Sequence, residues 1–169
     1  MKILILYSSR EGQTKKISEF MANHFGSNVK VSPLDLTLDI SDFDMLIIGA
    51  SIRYGHFNSL LYQFVEKNAV LLNKKKTAFF GVNLTARKEG KDDPETNVYV
   101  RKFLQRVEWN PNFKAVFAGA LFYPRYKIWD RLAIKLIMKI TGGETDTSKE
   151  IEYTDWNKVK KFVDQLINH

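Results

Sequence analysis

Short, unbroken runs of apolar residues recur along the chain, and most are followed within one loop by apolar positions at helical spacing. Ile3-Leu4-Ile5-Leu6-Tyr7, Asp44-Met45-Leu46-Ile47-Ile48-Gly49-Ala50, Thr77-Ala78-Phe79-Phe80-Gly81-Val82 and Ala115-Val116-Phe117-Ala118-Gly119-Ala120-Leu121 lack polar alternation. That is the pattern of strands covered on both faces. Val29-Lys30-Val31, with Leu34 and Leu36, predicts a shorter strand, and Pro33 places it near an edge. Between the strands, Ile17, Phe20, Met21 and Phe25 follow i, i+3, i+4, i+8 spacing in a helix beginning near Gly12 and stopping at Gly26. Further helices are predicted from about Ser59 to Leu72, from about Glu95 to Val107, and from Asp155, a good N-cap, through Val159, Phe162, Val163 and Leu166.

Strands alternating with helices need long right-handed crossovers, so the prediction is an α/β fold with a five-stranded parallel sheet and helices on both faces. The expected strand order is 2-1-3-4-5. Ligands of such sheets bind beyond the strand carboxyl ends, which brings Ser9–Thr14, Ser51–Gly55 and Asn83–Arg87 around one crevice.

The first of these loops is rich in hydroxyl and amide groups: Ser8-Ser9-Arg10-Glu11-Gly12-Gln13-Thr14. Its position before a helix N-terminus suits a bound phosphate. It matches neither G-x-G-x-x-G nor G-x-x-x-x-G-K-[ST]. It resembles the glycine-poor loop with which flavodoxins hold the monophosphate of FMN, although a plain strand-turn-helix with a capping Thr reads similarly. Ser51-Ile52-Arg53-Tyr54-Gly55-His56 offers an aromatic ring, and Asn83-Leu84-Thr85-Ala86-Arg87 offers amide, hydroxyl and guanidinium groups. Tyr54 is the candidate for ring stacking and Arg53 or Arg87 for stabilising a reduced, anionic flavin, with simple packing and a solvated Arg as the ordinary alternatives. His56 is a weaker candidate for relaying protons.

With 169 residues, 44% hydrophobic and 27% charged, the chain predicts one folded domain. The absence of Cys excludes disulfides, thiolate nucleophiles and Cys-bound metal, so redox chemistry requires a bound cofactor. No metal site is expected. The net charge of +7 is unevenly placed. Residues 122–154 are far too many for an ordinary strand-to-helix connection. This insertion opens with Phe122-Tyr123-Pro124-Arg125-Tyr126 and continues as a helix from about Lys127 to Ile140, stopped by Gly142-Gly143. Lys127, Arg131, Lys135 and Lys139 form a basic stripe, Trp129, Leu132, Ala133, Leu136, Ile137 and Ile140 lie beside it, and Ile128, Ile134 and Met138 fall outside that arc. Basic charge beside a Trp and large aliphatics predicts an interfacial helix on an anionic membrane; a core helix with a solvated edge is the alternative. Nucleic acid is not an expected partner, because no base-stacking loop or recognised module accompanies the charge.

Ile48–His56, Asn83–Lys88, Tyr123–Tyr126, Ile134–Lys139 and Gly142–Thr147 together resemble the menaquinone-dependent protoporphyrinogen IX dehydrogenases, flavodoxin-like oxygen-independent enzymes of haem synthesis. The resemblance runs over nearly the whole chain and is most specific in the insertion. It implies FMN, peripheral attachment to the cytoplasmic face of the cell membrane, and transfer of six electrons from protoporphyrinogen IX to menaquinone or a related quinone in three two-electron steps. Carried over by position, it implies that Ser9, Arg10, Glu11, Gly12, Gln13 and Thr14 hold the phosphate. Ser51, Ile52, Arg53, Tyr54, Gly55, Asn83, Leu84, Thr85, Ala86 and Arg87 would surround the ring. Arg53, Arg87, Lys88 and Arg125 are the candidates for the substrate propionates, and Lys127, Trp129, Arg131, Lys135 and Lys139 for membrane contact. No catalytic acid or base is assigned, and oligomeric state is left open. Glu11 departs from the Asp expected there. A flavodoxin-type electron carrier and an NAD(P)H-dependent quinone reductase are the competing readings.

Overall fold

The computed structural model describes residues 1–169. Strands β1 (Ile3–Ser8), β2 (Val29–Pro33), β3 (Met45–Ser51), β4 (Lys76–Asn83) and β5 (Phe113–Ala118) form one parallel sheet in the order β2-β1-β3-β4-β5. That is the predicted order. Because strand side chains alternate in direction, each apolar run feeds two cores. Leu4, Leu6, Leu46, Ile48, Phe79 and Val116 point to one face, where helices α2 (Ser59–Lys74) and α3 (Val98–Arg106) cover them. Ile3, Ile5, Met45, Ile47, Phe80 and Ala115 point to the other, under α1 (Gln13–Phe25) and α5 (Trp156–Asn168). Pro33 sits on the edge strand opposite Tyr7, where its missing N–H costs no ladder bond.

Local chemistry sets the helix ends. Asn58 accepts a hydrogen bond from the Leu60 N–H, Asn97 from Val100, and Asp155 from Asn157 and Lys158. The Asn97 cap starts α3 at Val98, later than the predicted Glu95, because Asp93–Asn97 is held as a turn through bonds to the Asp93 carbonyl.

The predicted last strand is interrupted. β5 ends at Ala118, and Gly119 donates its N–H to the Asn83 carbonyl at 3.0 Å while accepting from Tyr153 at 3.0 Å. The chain then leaves the sheet as β6 (Ala120–Phe122), which pairs antiparallel with β7 (Glu150–Glu152). This ribbon is the base of the insertion. On it rest a 3₁₀ turn at Tyr123–Arg125 and helix α4 (Ile128–Ile140), packed on a third, small core of Leu121, Tyr123, Tyr126, Ile134 and Met138. The orientation of α4 differs from a simple amphipathic reading. Of the three residues outside the apolar arc, Ile134 and Met138 are buried while Ile128 is 66% exposed, and the arc itself faces outward, with Trp129 79% and Ile140 76% exposed.

Gly49, at the centre of β3, lies against the Phe80 ring, and a Cβ added there would fall inside it. Gly49→Ala is expected to lower stability by about 2–3 kcal/mol in urea unfolding. A second change, Phe80→Leu, should recover part of that loss.

Candidate functional site

At the carboxyl edge of the sheet the three predicted loops meet the insertion around a cavity of about 490 Å³. This volume lies within the usual range for small-molecule sites, about 300–1,000 Å³. Ser9, Arg10, Glu11, Gln13 and Thr14 line it from the loop after β1, Ser51 through Gly55 from the loop after β3, and Asn83, Leu84, Thr85 and Arg87 from the turn after β4. Two predicted residues do not face it. Gly12 contributes through its backbone, adopting φ +100° so that α1 can begin while its N–H donates to Ser9 Oγ at 3.1 Å. Ala86 is buried behind the turn, donating its N–H to Asn83 Oδ1 at 2.8 Å.

The first bond of α1 runs from Lys16 N–H to the Gly12 carbonyl, so the N–H groups of Gln13, Thr14 and Lys15 have no partner within the helix. With the helix dipole behind them they make an anion cradle at the mouth of the first loop.

Gln13 Oε1, Thr14 Oγ1, Arg53 Nη2 and Asn83 Nδ2 are buried and have no hydrogen-bond partner in the protein. All four residues line this one cavity. The amide orientations follow from the other bonds these side chains make. Gln13 Nε2 donates to Thr154 Oγ1 at 2.9 Å and to Glu152 Oε2 at 3.1 Å, and Thr154 donates onward to the Ala118 carbonyl at 2.7 Å. Asn83 Oδ1 is occupied by Ala86. An unpartnered buried polar group costs about 1–3 kcal/mol, so two donors, one acceptor and one hydroxyl converging on a cavity specify a ligand carrying both acceptors and donors.

Arg53 is held by an ion pair with Glu11 and lies over the Tyr126 ring, 4.8 Å from its centroid. Burial opposes the Arg53 charge, but the Glu11 carboxylate and the more distant Asp130 outweigh it and raise its pKa above the ordinary value. With Nη1 on Glu11, the buried Nη2 of this guanidinium is left unpartnered at the cavity. Glu11 therefore serves the arginine, and the methylene it has over Asp gives it reach across to the loop after β3. Tyr54 and Gly55 form a tight turn with φ of 50° and 77°, closed by reciprocal bonds between Arg53 and His56 at 2.9 and 3.0 Å. Tyr54 is 47% exposed, and its hydroxyl donates to Asp130 Oδ1 on α4 at 2.6 Å. Burial and then this bond push the Tyr54 phenol up, and the same bond holds Asp130 below the usual carboxylate range. His56 is exposed and does not line the cavity.

The other cationic candidates separate clearly. Arg87 donates to the Leu84 carbonyl at 2.7 Å and to Thr141 Oγ1 at 3.0 Å, tying the third loop to the end of α4, and has no carboxylate partner. Arg10 lines the cavity, is exposed, and likewise has none. Lys88 is exposed outside the cavity. Arg125 also lies outside it, paired with Glu150 at 2.8 and 3.2 Å and reaching the Glu11 carbonyl at 3.3 Å. On the insertion, Lys127, Trp129, Lys135 and Lys139 are exposed. Arg131 is turned inward, donating to the Tyr123 and Tyr126 carbonyls at 3.1 and 3.4 Å.

Several cavity groups were not identified from sequence. Phe122, Tyr126, Ile134, Ile137, Met138 and Thr141 reach it from the insertion, and Tyr99 from α3. The placement of Ile134, Ile137, Met138 and Thr141 depends on how α4 docks, which no local pattern encodes. The one available signal was Asp130, the single acid in an otherwise basic helix.

A flavodoxin domain model matches residues 4–148. A protoporphyrinogen IX dehydrogenase [quinone] of Escherichia coli K12 is 46% identical over 98% of this chain and 94% of its own length. One from Leishmania major is 46% identical over 96% of this chain and 73% of its own. Among solved structures, a Streptococcus pneumoniae TIGR4 flavodoxin superposes with a TM-score of 0.53 at 18% identity, covering 99% of both chains, a likeness of fold.

Glu11→Ala would leave the Arg53 charge without its carboxylate and is expected to cost about 2 kcal/mol, less than a fully buried pair because both side chains retain some exposure. Glu11→Gln, which keeps an acceptor, should cost under about 1 kcal/mol. Urea midpoints of the two variants measure the difference. Glu152 is opposed by burial but held below the usual carboxylate range by bonds from Lys16, Trp156 and Gln13. A carboxylate depressed in the folded state contributes stability that is present above its unfolded pKa of about 4.3 and is lost as pH falls through its lowered folded value. Glu152→Gln should therefore flatten the acid limb of stability against pH below about 4.3, with little change in its slope between pH 6 and 8.

Proposed function

This chain belongs to the flavodoxin domain family, beside the quinone-dependent protoporphyrinogen IX dehydrogenases, and from that membership we propose that it binds FMN and oxidises protoporphyrinogen IX to protoporphyrin IX with a quinone as acceptor. The observation that carries this reading is the group of four unpartnered polar atoms in one cavity beside an anion cradle. FMN fits that chemistry: a phosphate for the cradle, hydroxyls that both donate and accept, and ring carbonyl and nitrogen groups.

On this reading the Thr14 hydroxyl and the first N–H groups of α1 hold the phosphate. Gln13 Oε1 accepts from a hydroxyl of the ribityl chain, and Asn83 Nδ2 and Arg53 Nη2 donate to acceptors further along the ligand. The bound flavin supplies acceptance of an electron pair from an organic donor and its release to a second molecule. Removing six electrons and six protons from the porphyrinogen requires three quinones, each taking two electrons and two protons, and menaquinone is the proposed acceptor. The protein's own part is to orient, neutralise and exclude water. Ile134, Ile137, Met138 and Phe122 give the cavity an apolar wall for a macrocycle, and Arg87 and Arg10, the cavity cations without a carboxylate of their own, are placed for its propionates. Arg53 is the weaker propionate candidate because Glu11 already balances its charge.

No helix is long and apolar enough to cross a membrane. The outward apolar face of α4, with Lys135 and Lys139 at its border, suits a helix lying in the interface of an anionic bilayer, and peripheral attachment to the cytoplasmic face of the cell membrane is part of the proposal.

Protein reconstituted with FMN should be yellow, lose its colour on anaerobic addition of protoporphyrinogen IX, and regain it with menaquinone. Protein that stays colourless would end the reading. Colour lost to NADPH but not to the porphyrinogen would favour a nicotinamide-dependent reductase. Arg87→Gln should raise the porphyrinogen KM about tenfold, roughly 1.4 kcal/mol, with FMN content unchanged.

A further inference from the structure

Helix α4 is fastened to the body along one flank and open along the other. At 100° per residue, Arg131 and Met138 share one flank and Asp130 and Ile137 share the opposite one, with Ile134 between them facing the cavity. The first flank is closed: Arg131 is bonded to the Tyr123 and Tyr126 carbonyls, and Met138 is 1% exposed in the small insertion core. The far end is tied by Thr141 to Arg87. Along the Asp130–Ile137 flank, the Tyr54–Asp130 bond is the one hydrogen bond joining α4 to the Arg53–Gly55 turn.

This flank is also the most open apolar part of the cavity rim. Among its large apolar lining residues Tyr54, 47% exposed, and Ile137, 42% exposed, are the most open to solvent. Beyond Ile137 the helix surface continues through Ala133, Ile140, Trp129, Leu136 and Leu132 before reaching Lys139 and Lys135. Apolar surface therefore runs without a polar break from the outermost face of α4 to the cavity wall. The basic residues border that surface on its far side, away from the mouth, where anionic headgroups would meet them.

We infer that a lipid-soluble quinone enters the cavity sideways out of the bilayer, across Ala133 and Ile137 and under Tyr54, and that the Tyr54–Asp130 hydrogen bond is the bar across this entrance. The inference rests on the proposed quinone-dependent activity and adds the route. A quinone headgroup passing Ile137 keeps its isoprenoid tail on the apolar face of α4, so the tail never crosses water. A soluble donor has no such need.

The test uses FMN-loaded full-length protein with protoporphyrinogen IX as donor. The acceptor is either menaquinone in phosphatidylglycerol–phosphatidylethanolamine vesicles or menadione, the same headgroup without a tail, in buffer. Ala133→Arg places a charge on the approach without touching the cavity lining and keeps the attraction to anionic lipid. It should raise the menaquinone KM about tenfold, leave the menadione KM within about twofold, and leave vesicle flotation unchanged. Gln105→Arg, the same charge on α3 away from α4 and from the cavity, should change none of the three. Equal effects on both quinones, or none on menaquinone, overturn the route while the activity stands. Failure of the unaltered protein to reduce either quinone overturns the activity and the route with it. For the bar, Tyr54→Phe and Asp130→Ala should each speed FMN release by the same factor, and the double variant no further. Multiplying factors in the double variant would show that the bond is not the closure.

Discussion

Polar atoms can be buried only against partners, and this fold buries four of them around one cavity with none supplied by the chain. Three of the four side chains are fixed in place by a neighbouring bond: the Gln13 amide by Thr154 and Glu152, the Asn83 amide by Ala86, the Arg53 guanidinium by Glu11. The bonds that aim these side chains also prevent them from turning away to satisfy themselves. A cavity built in this way is preorganised, and its conformational cost is met at folding and not at binding. The open edge of a parallel sheet makes such a site available, because three successive strand ends deliver their loops to one crevice.

The insertion completes this arrangement. Its base is a break in a strand: at Gly119 the chain leaves β4 and starts an antiparallel ribbon with residues some thirty positions later. That ribbon places Glu152 and Thr154 beside the start of α1, so the insertion helps to position Gln13 at the front of the site while α4 roofs it from above. Cofactor loops and insertion thus form a single polar network, with Arg125 and Glu150 adding a further link to the Glu11 backbone.

The five strands, their order and the three converging loops were legible because a strand buried on both faces leaves a nearly continuous apolar run, and because a parallel sheet has one ligand edge. The insertion was legible as a length anomaly and a basic helix. Its internal arrangement was not. Helix α4 carries apolar residues around most of its circumference, so periodicity does not decide whether Ile134 and Met138 or Trp129 and Ile140 point inward. Strand β7 is Glu-Ile-Glu, three residues with no propensity to announce them, and exists because β6 offers an edge. The Glu11–Arg53 pair joins residues 42 apart through a tertiary approach that spacing does not reveal. Helix α3 is shorter than its periodicity suggests because the Asn97 side chain competes successfully for the first turn.

The small core under α4 is separate from the two that sandwich the sheet: Leu121, Tyr123, Tyr126, Ile134 and Met138 share no buried member with either. A unit with five buried residues holds its backbone amides far less firmly than neighbours with nineteen and fifteen. The molecule therefore has two tiers of cooperativity, a resistant sheet and a looser cap. Amide protons of α4 will exchange through openings that leave the sheet intact, and ligand occupancy will protect the cap far more than the strands beneath it.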